Sequence, residues 1–360
     1  MKENANRLQH LDSLRAVAVL FVIWAHYAEI FSRISSSWNF LNTIQVDLRF
    51  GVVGVTIFFC ISGMLIPSSL KGSRRTGTIS FIIKRFFRLY PAYWLSMPLG
   101  YFALWYLFDR PIDFTIWWQN LTMIPLKIGS PAIQGQYWTL QLELTFYLLC
   151  VYLFVSGMLS RKCIAAIAVW LSIWYVAGAI PILRMEFAPG DNDLYVNLLV
   201  MFWGACFRYG YDDPEYRPVV WKVGACAVAA ILLMSLHKFR HGDIENARVA
   251  LVQVASIGMF ALGATILKIH SGVMQWIGRI SYSIYLLHPV PLYIVFWAAQ
   301  HYGKTGYPMP VYIAISLGAT LLMSWAMFRW VEAPTNAFGH WLTHRAKKNA
   351  PIRERVEAAS

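Results

Sequence analysis

Leu14-Arg15-Ala16-Val17-Ala18-Val19-Leu20-Phe21-Val22-Ile23-Trp24-Ala25-His26-Tyr27-Ala28-Glu29-Ile30-Phe31 is apolar apart from one arginine, one histidine and one glutamate. At about 1.5 Å per residue this run is about 27 Å long as a helix, close to the hydrocarbon thickness of a bilayer. It holds no Pro or Gly to break it. Asp12 and Arg15 interrupt its start and no small-residue cleavage site follows, so it reads as a membrane span and not as a cleavable signal peptide.

The same pattern recurs outward from this run. Nine further spans are expected at Gly51–Leu70, Leu89–Phe108, Trp138–Leu159, Cys163–Ile182, Leu194–Tyr209, Val219–Leu236, Val249–Leu267, Ile280–Gln300 and Pro310–Trp330. Phe114–Ile128, with Trp117 and Trp118 near Pro111 and Pro125, reads as an interfacial segment. Composition agrees: hydrophobic residues make up 58% of the chain and charged residues 14%, against about 25% charged in soluble proteins. Mean hydropathy is +0.48. The 16 Trp and 19 Tyr suit anchoring at the two headgroup layers. The expected fold class is an all-α, polytopic membrane bundle of about ten helices. Residues 1–344 form one transmembrane domain and 345–360 a polar basic tail.

The net charge of +13 raises the question of nucleic acid. Its distribution excludes that class, because the basic residues sit between apolar runs and at the C-terminus. With both termini cytoplasmic, 22 Lys and Arg fall inside and 9 outside. The reverse topology opposes the positive-inside rule. The five cysteines form no CxxC or Cys/His spacing, so neither zinc nor a disulfide framework is expected.

Chemistry concentrates in the first span. Arg15 and His26 are eleven residues apart, so they return to nearly the same helical face about 16 Å apart along the axis. Glu29, one turn on, shares that face. Ionisable groups within a bilayer are costly and usually functional. A histidine, with a reference pKa of about 6.5, suits the removal of a hydroxyl proton. Glu143 lies inside the Trp138–Leu159 run, where it needs a partner such as Arg15 or tyrosine hydroxyls. His288 precedes Pro289 and Pro291, which free backbone carbonyls around it.

Several motifs in order carry a resemblance. Leu11-Asp12, Arg15 and His26 lead. Gly51-Val52-Val53-Gly54 through Phe58-Phe59 to Ser62-Gly63 follows, then Arg85-Phe86-Phe87-Arg88-Leu89-Tyr90-Pro91 and Trp138 through Glu143 to Tyr147. Gly278-Arg279-Ile280-Ser281-Tyr282-Ser283 through His288-Pro289, and Val331-Glu332-Ala333-Pro334, complete the set. Together they resemble the acyltransferase-3 family of membrane O-acyltransferases over roughly residues 11 to 334. The family's second-helix motif commonly has an acid where this chain has Thr56, and no catalytic part is assigned to that residue.

The resemblance implies transfer of an acyl group, usually acetyl from cytoplasmic acyl-CoA, to a hydroxyl of a surface or exopolysaccharide glycan or its lipid-linked precursor. The enzyme would be a multi-pass protein of the bacterial plasma or inner membrane, with the bilayer, acyl-CoA and a glycan as partners. Acyl-CoA would be a co-substrate, with no bound cofactor and no metal. Within that frame His26 is the expected base, with Arg15 and Glu143 as further catalytic candidates. Arg85 and Arg88, three apart and on one face, are expected to bind the CoA phosphates. Glu29, Tyr282 and His288 are expected to meet the acceptor. Glu332 and Pro334 are expected to end the last helix. An acyl-imidazole on His26 is the covalent variant of the same chemistry. The rival reading is a glycan or lipid transporter that uses the buried charges as a polar path. It predicts two related halves, and the sequence has no internal repeat.

Overall fold

The computed structural model describes residues 9–111, 113–178 and 191–349. All regular structure among them is helical. In chain order the helices are α1 (Gln9–Phe31), α2 (Phe40–Leu48), α3 (Phe50–Leu65), α4 (Arg74–Leu104), α5 (Phe114–Leu121), α6 (Tyr137–Val155), α7 (Arg161–Ala177) and α8 (Asp191–Asp212). Then come α9 (Arg217–Arg240), α10 (Ile244–Thr265), α11 (Gly272–Arg279), α12 (Ser281–Leu287), α13 (Pro289–His301), α14 (Met309–Met327) and α15 (Ala333–Asn349).

Seven helical stretches among the described residues are long and apolar enough to cross a membrane, which makes the protein a multi-pass membrane protein. They are His10–Phe31, Phe50–Ser69, Tyr137–Val155, Pro214–Arg240, Ile244–Thr265, Ser281–His301 and Met309–Arg345. The other three expected spans are also helical. α4 opens with a basic half, α7 has only 17 residues, and α8 carries acidic groups at both ends. The end of the expected Cys163–Ile182 span and the last part of the polar tail lie outside the described residues. The expected interfacial segment forms α5 and a short 3-10 turn at Pro125–Ile128, with Phe114 and Trp118 exposed.

The chain falls into two compact units. The first comprises the described parts of Met1–Ala18, Val52–Thr78 and Leu142–Met274. Here α9 packs against α7, α8 and α10. Small residues bring the backbones together. A Cβ on Gly63 of α3 would overlap the Met201 carbonyl of α8, and one on Gly204 would lie 2.5 Å from the Cys60 carbonyl oxygen. Reciprocal glycines of this kind let two helices touch along their backbones, the usual basis of packing where lipid removes the hydrophobic drive. All five cysteines are free, and Cys60, Cys150 and Cys206 are buried.

The second unit comprises Val19–Gly51, Ile79–Gln141 and the described part of Gln275–Ser360. Two features differ from the sequence expectations. The basic residues Arg74 to Arg88 form no loop before a span. They continue into it as one helix of 31 residues with Pro91 and Pro98 inside. The last helix also continues past Glu332: a π-turn over Phe328–Glu332 leads directly into α15. The wider i→i+5 turn suits Pro334, which has no N–H for a normal ladder. Glu332 is buried and accepts a 2.6 Å hydrogen bond from the Ser283 hydroxyl.

Gly63→Ala is expected to lower stability by about 2–3 kcal/mol, since the added methyl meets unyielding backbone. Gly258→Ala in α10 meets nothing within 4 Å and is expected to be neutral or slightly stabilising. Thermal unfolding in detergent distinguishes them, and equal behaviour of the two variants would refute the backbone-contact account.

Candidate functional site

The second unit brings His26 and His288 together. Their rings stack with centroids 5.3 Å apart and planes 29° from parallel. His288 is fully buried, at 0% exposure. His26 is exposed, while its neighbours Ala25, Tyr27 and Ala28 are buried. His26 thus keeps one ring face against a fully buried partner while part of the side chain stays accessible.

The local sequence explains the geometry. Pro289 has no N–H to offer the Tyr285 carbonyl, its i−4 acceptor. The Nδ1 of His288 lies 2.9 Å from that carbonyl oxygen. A carbonyl can only accept, so Nδ1 carries the hydrogen and the neutral ring presents an unprotonated Nε2. That Nε2 is buried without a partner among the described residues. Proline thus turns the next residue back in the chain into the missing donor and fixes its tautomer.

Tyr285 is itself held at both ends. Its hydroxyl donates to the Gln136 carbonyl at 3.1 Å and lies 2.6 Å from Thr139 Oγ1. Gln136 Nε2 approaches the Tyr285 and Leu286 carbonyls at 3.5 and 3.4 Å and donates to Gln134 Oε1 at 2.9 Å. Gln134 Nε2 in turn donates to the Ser96 carbonyl and the Tyr137 hydroxyl. The result is a buried, connected amide and hydroxyl network, which is rigid because its polar groups are satisfied.

Tyr27 ties α1 to the same place. It is fully buried, and its hydroxyl donates to the His288 carbonyl at 3.1 Å, with Thr320 Oγ1 at 2.6 Å and the Ser316 carbonyl at 3.4 Å. His26, the residue before it, is thereby set against His288. The sequence reading singled out neither Tyr27 nor Gln136. Tyr27 is a polar residue in an apolar helix and Gln136 immediately precedes one, and that is the signal that could have found them.

The other candidates separate. Glu29 is exposed and pairs with Arg33 at 3.0 Å. Tyr282 donates to the Leu89 carbonyl of α4 at 2.9 Å. Arg85 lies 5.4 Å from the Phe81 ring centroid. Lys84, Arg85 and Arg88 are all within electrostatic reach of His340 on α15, where Gly339 meets Phe87. His340 therefore joins a basic cluster that the sequence reading built from Arg85 and Arg88 alone.

Arg15 and Glu143 belong to the first unit. Arg15 pairs with Asp12 at 3.1 Å. Glu143 accepts hydrogen bonds from the Tyr147 hydroxyl at 2.5 Å and the Ser62 hydroxyl at 3.1 Å, which gives the carboxylate the hydroxyl partners it was expected to need. Thr56 is buried.

Comparison with known proteins places this geometry in a family. A family described as an acyltransferase domain matches residues 8–329. The chain is 25% identical over 373 residues to a Staphylococcus aureus (strain COL) protein provisionally named an O-acetyltransferase, covering 90% of this chain and 56% of that one. It is 24% identical over 372 residues to the peptidoglycan O-acetyltransferase OatA of Listeria monocytogenes, covering 91% and 56%. A Bacillus subtilis protein provisionally named a peptidoglycan O-acetyltransferase, YrhL, is also 24% identical, with 91% and 55% covered. The chain thus spans about half the length of the curated relatives it matches. No solved structure matches significantly. With the family covering nearly every described helix and five of the six ordered motifs, the chain belongs to the acyltransferase-3 family.

Proposed function

We propose that this chain is a membrane O-acyltransferase that moves an acyl group, acetyl by preference, from cytoplasmic acyl-CoA to a hydroxyl of a surface or cell-wall glycan or its lipid-linked precursor. The observation that carries this reading is the accessible His26 ring seated on the tautomer-locked His288. The O-acetyltransferase names of the relatives favour acetyl transfer, and two of those names specify peptidoglycan.

In this reading His26 removes the proton from the acceptor hydroxyl as its oxygen attacks the thioester carbonyl carbon. The C–S bond breaks, the thiolate leaves, and the imidazolium returns the proton to sulfur. His288 holds the His26 ring in place by stacking against it, and Tyr27 keeps the two rings in register. The cluster of Lys84, Arg85, Arg88 and His340 receives the CoA phosphates by charge-assisted hydrogen bonds. Glu143 and Arg15 complete the polar groups of the first unit, and Glu29 and Tyr282 remain the candidates at the acceptor.

The chemistry needs a donor site on the cytoplasmic side. This favours ten spans, formed by the seven apolar stretches together with α4, α7 and α8, and both termini inside a bacterial plasma membrane. The 22-to-9 split of basic residues supports that topology. Cysteine labelling from outside intact cells is expected to reach position 304 and to miss position 345. Labelling of position 345 from outside would overturn it.

His26→Gln keeps side-chain volume and hydrogen bonding but cannot take a proton, so transfer is expected to fall by about two to four orders of magnitude with folding intact. Near-wild-type turnover of purified His26→Gln with acetyl-CoA and a cell-wall glycan would remove the base assignment.

Tyr27→Phe is expected to lower kcat by about tenfold with KM little changed, since it loosens the register of the two rings without touching a substrate. An effect confined to KM would contradict that positioning role.

Arg85→Ala and Arg88→Ala are each expected to weaken acyl-CoA binding by about tenfold and leave acceptor KM unchanged. Equal donor affinity in wild type and both variants, measured by calorimetry, would return these residues to a purely topological role.

A further inference from the structure

The ends of α8, α9 and α10, all in the first unit, line an open cavity of about 610 Å³. Its lining includes Phe207, Tyr211, Arg217, Trp221, Thr265 and Lys268. None of these residues takes part in the acyl-transfer scheme above.

The charge around this cavity is unbalanced. Three carboxylates of the same unit are engaged by other arginines. Asp12 pairs with Arg15 at 3.1 Å, Asp212 with Arg208 at 2.6 Å, and Asp213 with Arg161 at 2.5 Å. The Arg161 guanidinium also holds the Asp213 carboxyl below the usual carboxylate range, so that pair stays ionised. Glu215 is exposed and outside the lining. Arg217 donates through Nε to the Gly210 carbonyl at 3.3 Å, and neither it nor Lys268 has a carboxylate partner among the described residues. His10 borders this region as a buried polar group: it lies 6.2 Å from the Tyr211 ring and leaves Nε2 without a partner among the described residues.

Arg217 and Lys268 are both exposed at the mouth of this cavity, and two cations there without a carboxylate partner favour a ligand that brings negative charge. The remaining walls narrow the choice. Phe207 and Val220 are buried and apolar, while Trp221 is 60% exposed, as suits an indole at the headgroup layer. The volume lies within the range of small-molecule sites. A free inorganic anion would leave the apolar wall unfilled, and a zwitterionic headgroup would bring a cation towards Arg217 and Lys268. We propose that this cavity binds the phosphate headgroup of an anionic phospholipid, with Arg217 and Lys268 on the phosphate and Phe207, Val220 and Trp221 along the glycerol and the first acyl carbons. Basic pockets between membrane helices are a common way to recognise such headgroups.

The test is native mass spectrometry of the purified full chain with phosphatidylglycerol or phosphatidylcholine added. Preferential retention of phosphatidylglycerol is expected, falling by about tenfold or more in the Arg217→Gln, Lys268→Gln double variant. Arg329→Gln, a basic residue in the second unit, is expected to retain the lipid normally. Thermal unfolding in detergent checks the fold of each variant. Should the double variant unfold, Lys268→Gln alone decides, because that side chain is exposed. Equal retention of the two lipids, or unchanged phosphatidylglycerol binding in the variant, would overturn the proposal. Displacement of the lipid by millimolar inorganic phosphate or coenzyme A would assign the cavity to a soluble phosphate ester and overturn the lipid assignment. None of these readouts depends on acyl transfer.

Discussion

A proline in a membrane helix leaves a carbonyl that water cannot satisfy, and in this protein a histidine satisfies it. Pro289 withdraws the N–H that Tyr285 would have used, and His288 Nδ1 takes its place at 2.9 Å. An orphaned buried carbonyl costs about 1–3 kcal/mol, so the bond is strongly favoured. It fixes both the orientation and the tautomer of the ring. The stacking of His26, the anchoring of Tyr27 and the network through Gln136 and Gln134 all converge on this short stretch of backbone.

The same rule of polar satisfaction organises other sites. Glu143 rests on hydroxyls of Tyr147 and Ser62, and Glu332 on the hydroxyl of Ser283. Neutral hydroxyl donors satisfy an acidic side chain without importing a second desolvated charge. The Ser281 to His288 motif therefore has a structural half, Ser283, and a half, His288, that enters the proposed chemistry. The second-helix motif is structural where Gly63 meets α8. A family motif in a membrane protein mixes the residues that let helices touch with those that act.

Much of this was legible in the chain. Composition and the apolar runs gave the helical membrane class, because lipid leaves the backbone no other way to satisfy its hydrogen bonds than helices or closed barrels. His26 and Glu143 stood out as costly polar residues within spans, and Pro289 announced a freed carbonyl beside His288. Other readings failed for physical reasons. The basic segment before Leu89 was expected to lie outside the span that begins there, yet α4 starts at Arg74 and runs through Arg85, Arg88 and Pro91 as one helix. Glu332 and Pro334 looked like a terminus, but a π-turn absorbs the proline and the helix runs on. Glu29, which shares a face with His26, pairs with Arg33 one turn away and stays a candidate.

The sequence by itself determined the class of solvent, seven of the ten expected spans and the family, since these follow from hydropathy and ordered motifs along one dimension. Only the tertiary structure decided that His26 meets His288, 262 positions later in the chain, that Tyr27 sets their register, and that His340 joins Arg85 and Arg88. Partnership between distant residues depends on which helix faces pack together, and a periodic apolar pattern leaves that open when nearly every face is apolar.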